Sequence, residues 1–263
     1  MSQNVVNPYR FAGAGVDDTG LKSYWKFDQS SGNVTNDSVS DDTLGSGADL
    51  TINGSPEYSV ASGLSGFGNC MYFNESAGTG DSGIAGTSLS QYGFLHNASD
   101  ITWTMNFWLL FPATVLENTV IMDSCAIDDE KYGVYMIISS DVSQSFRCLI
   151  SRGVNNSYVV RAIPTENFIP TDNAFHMYTL TYDESLGSAN LKFKRDGANE
   201  ETFNKSSATA PNDSTYALNI FQKASPADYY AEVKSLEWST WNRVLTSEEI
   251  DTLYNSGSGT PIY

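Results

Sequence analysis

The chain has 263 residues, with 14 Lys and Arg against 31 Asp and Glu and a formal net charge of −17. That balance argues against nucleic-acid binding, which needs clustered Lys and Arg on the phosphates, and against anionic membrane surfaces. No run of about 18 apolar residues is present to cross a bilayer, and the length suits one large all-β domain.

Residues 1–20 read as an arm, polar, glycine-containing and without periodicity. Pro8, Tyr9, Arg10 and Phe11 are its only bulky group, and the arm is either a disordered end or an anchor to an assembly. The opening MSQNVVNPYRFAGAG has neither a basic n-region nor an apolar h-region, so no secretory signal is expected there.

The domain is expected to begin at Leu21. Leu21, Ser23, Trp25 and Phe27 alternate with Lys22, Tyr24, Lys26 and Asp28, the pattern of a half-buried strand. Residues 28–58 are dense in Asp, Ser, Gly and Asn, with DLTING a short strand entering an Asn-Gly turn. Residues 76–100 form a second loop-rich crossing. Ile101, Trp103, Met105, Phe107, Leu109 and Phe111 then share one face, opposite Thr102, Thr104 and Asn106, as a sandwich core requires. VIMDSCAIDDEKYGVYMIIS gives two strands around an acidic loop. SFRCLISRG with SYVVRAI makes a hairpin, and HMYTLTYD with LKFKRD makes another.

After STYALNIFQ and YYAEVKSLEWST comes the one helix. Thr246 is its N-cap and Glu249 completes a capping box, while Glu248 and Glu249 set negative charge at the positive end of the dipole. Ile250, Leu253 and Tyr254 form one apolar face, and Gly257 is the expected left-handed stop. Helices shorter than about 12–15 residues are marginal alone in water, so this one must dock on something larger.

Cys70, Cys125 and Cys148 cannot all pair within the chain. Cys70 and Cys148 lie in apolar strand patterns, where a thiol is a small hydrophobe, and no zinc spacing is present. About ten to thirteen short strands with turn signals between them describe an all-β sandwich. Neither an internal repeat nor an interdomain linker interrupts it.

The closing residues Trp241, Asn242, Arg243, Leu245, Thr246, Glu249, Ile250, Leu253, Tyr254, Asn255 and Gly257 resemble the signature that ends concanavalin A-like jelly-roll domains of the laminin-G-like type. LKSYWKFDQSSGNVTNDSV, GNCMYFNES, ITWTMNFWLLF and FHMYTLTYDESLGSANLKFKRDG resemble the earlier blocks of that family, in order. Phe175 stands where the family has Trp, and Arg195 where it usually has Val. The resemblance covers about residues 21–259 and implies an antiparallel jelly-roll β-sandwich over residues 21–263, with one short C-terminal helix.

Some folds of this kind are glycosidases, which need two carboxylates facing each other across the bond. No E-x-D-x-x-E pattern is present. The acids lie in loops (Asp128, Asp129, Glu130) or on the helix, where capping explains them, so no enzyme is expected. His96 and His176 are expected to be packed or surface histidines. In laminin-G-like domains calcium sits at the sandwich rim, and the resemblance implies Asp128, Asp129 and Asp213 as its ligands here. Asp28 and Asp37 are a second candidate pair, and the alternative is that these are solvated loop acids. Tyr92, Tyr132 and Tyr158 are the loop-proximal aromatics that could stack on a sugar.

The expected function is a non-catalytic recognition and display module that binds surface glycan or protein. The lack of an export signal and the odd thiol point to a virion component, similar to phage head-decoration or tail-fibre proteins. Residues 1–20 would then hold other virion proteins, in a homo-oligomer within the assembly. The alternatives are a purely structural virion protein without a ligand, or an extracellular bacterial polysaccharide-binding protein whose export signal lies outside the chain.

Overall fold

The computed structural model describes residues 16–34, 49–76, 79–85, 92–97, 99, 101–125, 132–152, 158–206, 214, 216–224 and 229–262. The strands begin with β1 (Leu21–Trp25), β2 (Leu50–Asn53), β3 (Glu57–Ala61), β4 (Asn69–Phe73), β5 (Glu75–Ser76), β6 (Thr79–Gly80) and β7 (Ser82–Ala85). Next come β8 (Thr102–Leu110), β9 (Val120–Asp123), β10 (Tyr132–Ile138), β11 (Phe146–Arg152) and β12 (Tyr158–Ala162). Then follow β13 (His176–Asp183), β14 (Leu191–Arg195), β15 (Asn199–Phe203), β16 (Leu218–Ile220) and β17 (Val233–Trp241), before the helix α1 (Ser247–Tyr254).

Two antiparallel sheets form the sandwich. The first has the order β15-β14-β13-β8-β17-β4-β3, with β1 also beside β17, and the second β12-β11-β10-β9-β16-β7-β2. β17 has β8 along one edge, while its other edge is divided between β4 at Val233–Ser235 and β1 at Trp238–Trp241. The division falls at a bulge, where Glu237 has φ 52 and its amide turns to the carbonyl of Lys26 at 3.3 Å.

The β8 face expected from alternation is the core: Ile101, Trp103, Met105, Phe107, Leu109 and Phe111 all lie in the main cluster between the sheets. Its centre is aromatic, with Phe107 stacked on Trp238 at 4.3 Å and Phe73 against Phe221 at 4.6 Å. β1 departs from simple alternation. A register shift between Leu21 and Ser23 puts Leu21 and Tyr24 in an outer cluster while Trp25 and Phe27 stay in the core, so this strand is buried on both faces.

That outer cluster is where α1 docks. Ile250 and Leu253 join Trp108, Met177, Leu236 and Trp241 on the outer face of the first sheet, with Phe67, Ile262 and Val16 around them. Tyr254 stacks on Trp108 at 6.0 Å. Thr246 and Glu249 make the complete capping box, and the left-handed stop is Asn255 (φ 45), two residues before Gly257. The short side chain of Asn tolerates that conformation, so the helix ends earlier than the glycine suggests. The three cysteines are buried thiols rather than disulfides. Among the described residues no helix is long and apolar enough to cross a membrane.

Candidate functional site

Asp128, Asp129 and Asp213, expected to hold calcium, lie outside the described residues, as does Asp37. Their described neighbours do meet. Ser214, next to Asp213, donates its hydroxyl to the carbonyl of Ser124, which precedes the loop carrying Asp128 and Asp129. Among the described residues no group of three or more His, Cys, Asp or Glu is placed to hold a metal, and Asp28 is exposed.

The two histidines are built into the frame. His96 is buried, and its Nε2 accepts the backbone amide of Ser214 at 3.0 Å. His176 Nδ1 is 2.7 Å from Asp196 Oδ2, and its Nε2 is 3.1 Å from both oxygens of Asp172. Carboxylates only accept, so this arrangement satisfies both ring nitrogens together when the ring carries its second proton. Burial opposes that charge, but the two aspartates outweigh it and raise the His176 pKa above its ordinary value. A ring committed at both nitrogens has none left to serve as a base.

Tyr92 is not available for stacking on a ligand. It is buried, with its ring 6.2 Å from Trp25 and 6.0 Å from Phe94, because the turn at Gly93–Leu95 folds it onto the core. Tyr132 and Tyr158 are half-buried.

The structure assembles a site at the end of the sandwich where β8 finishes and β13 begins. Asp196 and Gly197 both have positive φ at the tip of the three-residue connection Asp196–Ala198 that joins β14 to β15, and the amide of Ala198 closes it onto the carbonyl of Arg195 at 3.2 Å. Against this hairpin runs the segment after β12. Thr165 donates to Glu201 three times, from its amide at 3.1 and 3.0 Å and from its hydroxyl at 2.6 Å. Arg195 Nη1 donates to the carbonyls of Asn167 and Phe168 at 3.1 and 2.9 Å, with its guanidinium 5.6 Å over the Phe168 ring. Phe168 is itself sunk among Phe146, Tyr178 and Phe193.

Between these walls lies a cleft of about 440 Å³ lined by Thr165–Phe168, Arg195 and Ala198–Glu201. Its walls are tied by side chains already spoken for, while Glu166, Asn167 and Asn199 are exposed at its mouth. Glu200 is balanced by Lys192 at 3.5 Å and Lys194 at 3.7 Å. Carboxylate, amide and hydroxyl groups on a fixed frame can accept and donate hydrogen bonds to a polar ligand without first being ordered. Sequence reasoning missed the cleft because Thr165 and Glu201 are 36 residues apart, and neither sits in a recognisable motif.

No protein-family model matches the chain, and no curated protein matches it in sequence. Solved structures do match. The structure described as the crystal structure of the receptor binding domain aligns with TM-score 0.63 and 13% identity, over 91% of this chain and 51% of that one. The binding domain of botulinum neurotoxin DC in complex with SialylT gives TM-score 0.62 and 12% identity, over 91% and 52%. The same domain in complex with rat synaptotagmin II gives 0.60 and 12%, again over 91% and 52%. The chain spans about half the length of these structures. At such identities what it shares with them is the β-sandwich fold.

Proposed function

We propose that the chain is a non-catalytic recognition module of the concanavalin A-like, laminin-G-like type, binding surface glycan or protein and displayed on a larger assembly such as a virion. The observation that carries this reading is the preformed polar cleft beside the β14–β15 hairpin, whose frame is locked by Glu201 and Arg195 while Glu166, Asn167 and Asn199 face solvent. Likeness in fold to binding domains solved with SialylT and with synaptotagmin supports it as analogy. A glycan array run with the wild-type chain and a Glu166→Ala/Asn199→Ala variant tests it. Reproducible binding that weakens in the variant is the expected result; silence of the wild type on glycans and on immobilised cell-surface protein would sink it.

Two further parts of the proposal have their own tests. Residues 1–20 attach the module to its assembly, so deleting them should release it from particles, and unchanged incorporation would count against the arm. Calcium bound by Asp128, Asp129 and Asp213 is supported by the contact between Ser214 and Ser124, which stand in the chain next to Asp213 and shortly before Asp128. It predicts a rise in thermal midpoint with added Ca²⁺ that EDTA reverses.

A further inference from the structure

We propose that the groove between the β13–β14 hairpin and the segment entering α1 docks a partner protein, taking one branched aliphatic side chain between Leu186 and Val244. The inference rests on the recognition reading above and names the partner class for a second surface, next to the cleft. Four large apolar side chains are exposed among the described residues, and two of them, Leu186 (41%) and Val244 (37%), line this one groove of about 110 Å³. Its floor is the outer face of the first sheet. Leu191 and Phe193 of β14 turn into the core, so Lys192 and Lys194 turn outward, with Thr181 opposite Lys192. Glu200 borders both this groove and the cleft.

Both exposed side chains stand on fixed backbone. The buried Thr104 hydroxyl donates to the carbonyl of Arg243 at 2.8 Å and accepts the amide of Leu245 at 2.9 Å, gripping the chain on either side of Val244. On the facing wall the buried Asn190 side chain donates to the carbonyls of Leu186 and Asp183 at 2.7 and 3.0 Å. Asp183 Oδ1 in turn accepts the amide and hydroxyl of Ser185 at 3.0 and 2.6 Å. Two aliphatic side chains exposed on walls that hydrogen bonds already hold make a preformed site, since little ordering entropy remains to oppose an apolar group that enters.

The lining selects the occupant. Lys192 and Lys194 face Glu200 at 3.5 and 3.7 Å, beyond the length of about 2.7–3.2 Å usual for an N–H···O bond, so both ammoniums keep donors for an incoming carbonyl. Two lysines against Glu200 and Asp183 leave the groove balanced in charge. That balance suits an uncharged side chain carried on a peptide backbone whose carbonyls accept from the ammoniums. No residue on the lining is aromatic, so a sugar ring finds no platform to stack on and would leave Leu186 and Val244 wet. A cavity of about 150 Å³ holds one benzene, so the groove has room for one Leu, Ile or Val side chain. An aliphatic anchor in a pocket with a polar rim is a working centre for a protein interface.

NMR titration of the full isotope-labelled chain with N-acetyl-leucine methylamide tests this, against the glycine and aspartate analogues and methyl glucoside. The leucine probe should shift the amides of Leu186, Lys192, Lys194 and Val244 saturably, and the controls should not. Leu186→Ser and Val244→Ser, both at exposed positions, should each weaken the leucine probe by about tenfold with the thermal midpoint unchanged, while Glu166→Ala/Asn199→Ala leaves it alone. No saturable shift by the leucine probe, or equal shifts by the glycine analogue or the glucoside, overturns the groove and leaves the recognition reading to its own array. Leucine-probe binding indifferent to both wall variants also overturns it. A dimer in sedimentation that either wall variant dissolves would give the groove to a second copy of this chain, against the proposal.

Discussion

Arg243 and Glu249 meet fork to fork, Nη1 to Oε2 at 2.9 Å and Nη2 to Oε1 at 2.6 Å. The same carboxylate accepts the amide of Thr246 at 2.8 Å, closing the helix cap. The same guanidinium reaches back to the carbonyls of Thr19 and Asp17, each at 2.6 Å. One ion pair therefore fastens the last helix and the segment preceding β1 to each other. Arg243→Ala should cost about 2 kcal/mol, the size expected for hydrogen bonds to charged groups, and should speed amide exchange in α1 and proteolysis near residues 16–20. Arg243→Lys keeps the charge and loses the fork, so it should recover little. Stability unchanged in both would remove the pair from this role.

The pair also gives acid sensitivity. The Arg243 guanidinium, followed by the Thr246 amide, holds the Glu249 carboxyl below its ordinary value. A depressed carboxylate contributes stability above its unfolded pKa, and that contribution is lost as pH falls through the folded value. Glu249→Gln should therefore flatten the acid limb of a stability–pH curve, leaving the neutral limb lower but parallel to wild type.

His176 has the opposite sign. Burial works against its charge, but Asp196 and Asp172 outweigh it and raise its pKa. Its contribution is complete below the unfolded value of about 6.5 and disappears as pH climbs through the raised folded value. The ring resonances of His176 should titrate above the ordinary histidine range, and His176→Gln should remove a loss of thermal midpoint on the alkaline side. Titration at or below about 6.5 would show that the aspartates do not hold the charge.

Features encoded by neighbours in the chain were legible in the sequence. Thr246 and Glu249 are three residues apart, and their capping box is present as read. The strict alternation of Ile101 to Phe111 identifies the core face of β8. What depends on distant partners was not legible. Trp108 sits on the face that reads as polar, and it is buried because α1 and Phe67 cover it.

The buried thiols should be silent in the native state. Burial pushes the Cys148 thiol up to about 12. For Cys70 burial outweighs the opposing Lys234 charge and gives a value of about 11. The thiolate is the reactive form, so a disulfide-exchange reagent at pH 8 should label neither residue until denaturant opens the sandwich. Rapid native labelling of Cys148 would mean that β11 opens locally.

Arg152 and Glu184 form the most deeply placed ion pair among the described residues, two bonds of 2.7 Å between side chains 1% and 5% exposed. Arg152 Nε also donates to the carbonyl of His96 at 2.6 Å, and Glu184 Oε2 accepts the amide of Ile101 at 3.4 Å. The pair thus ties the ends of β11 and β13 to the crossing that enters β8. Glu184→Ala leaves the guanidinium buried without its counter-charge and should cost about 3–5 kcal/mol. The double change Arg152→Met/Glu184→Leu removes both desolvation penalties and should cost less than the single one, measured as denaturation midpoints with unchanged slopes. A double variant weaker than Glu184→Ala would mean that the contacts to His96 and Ile101, rather than the pair itself, hold this end together.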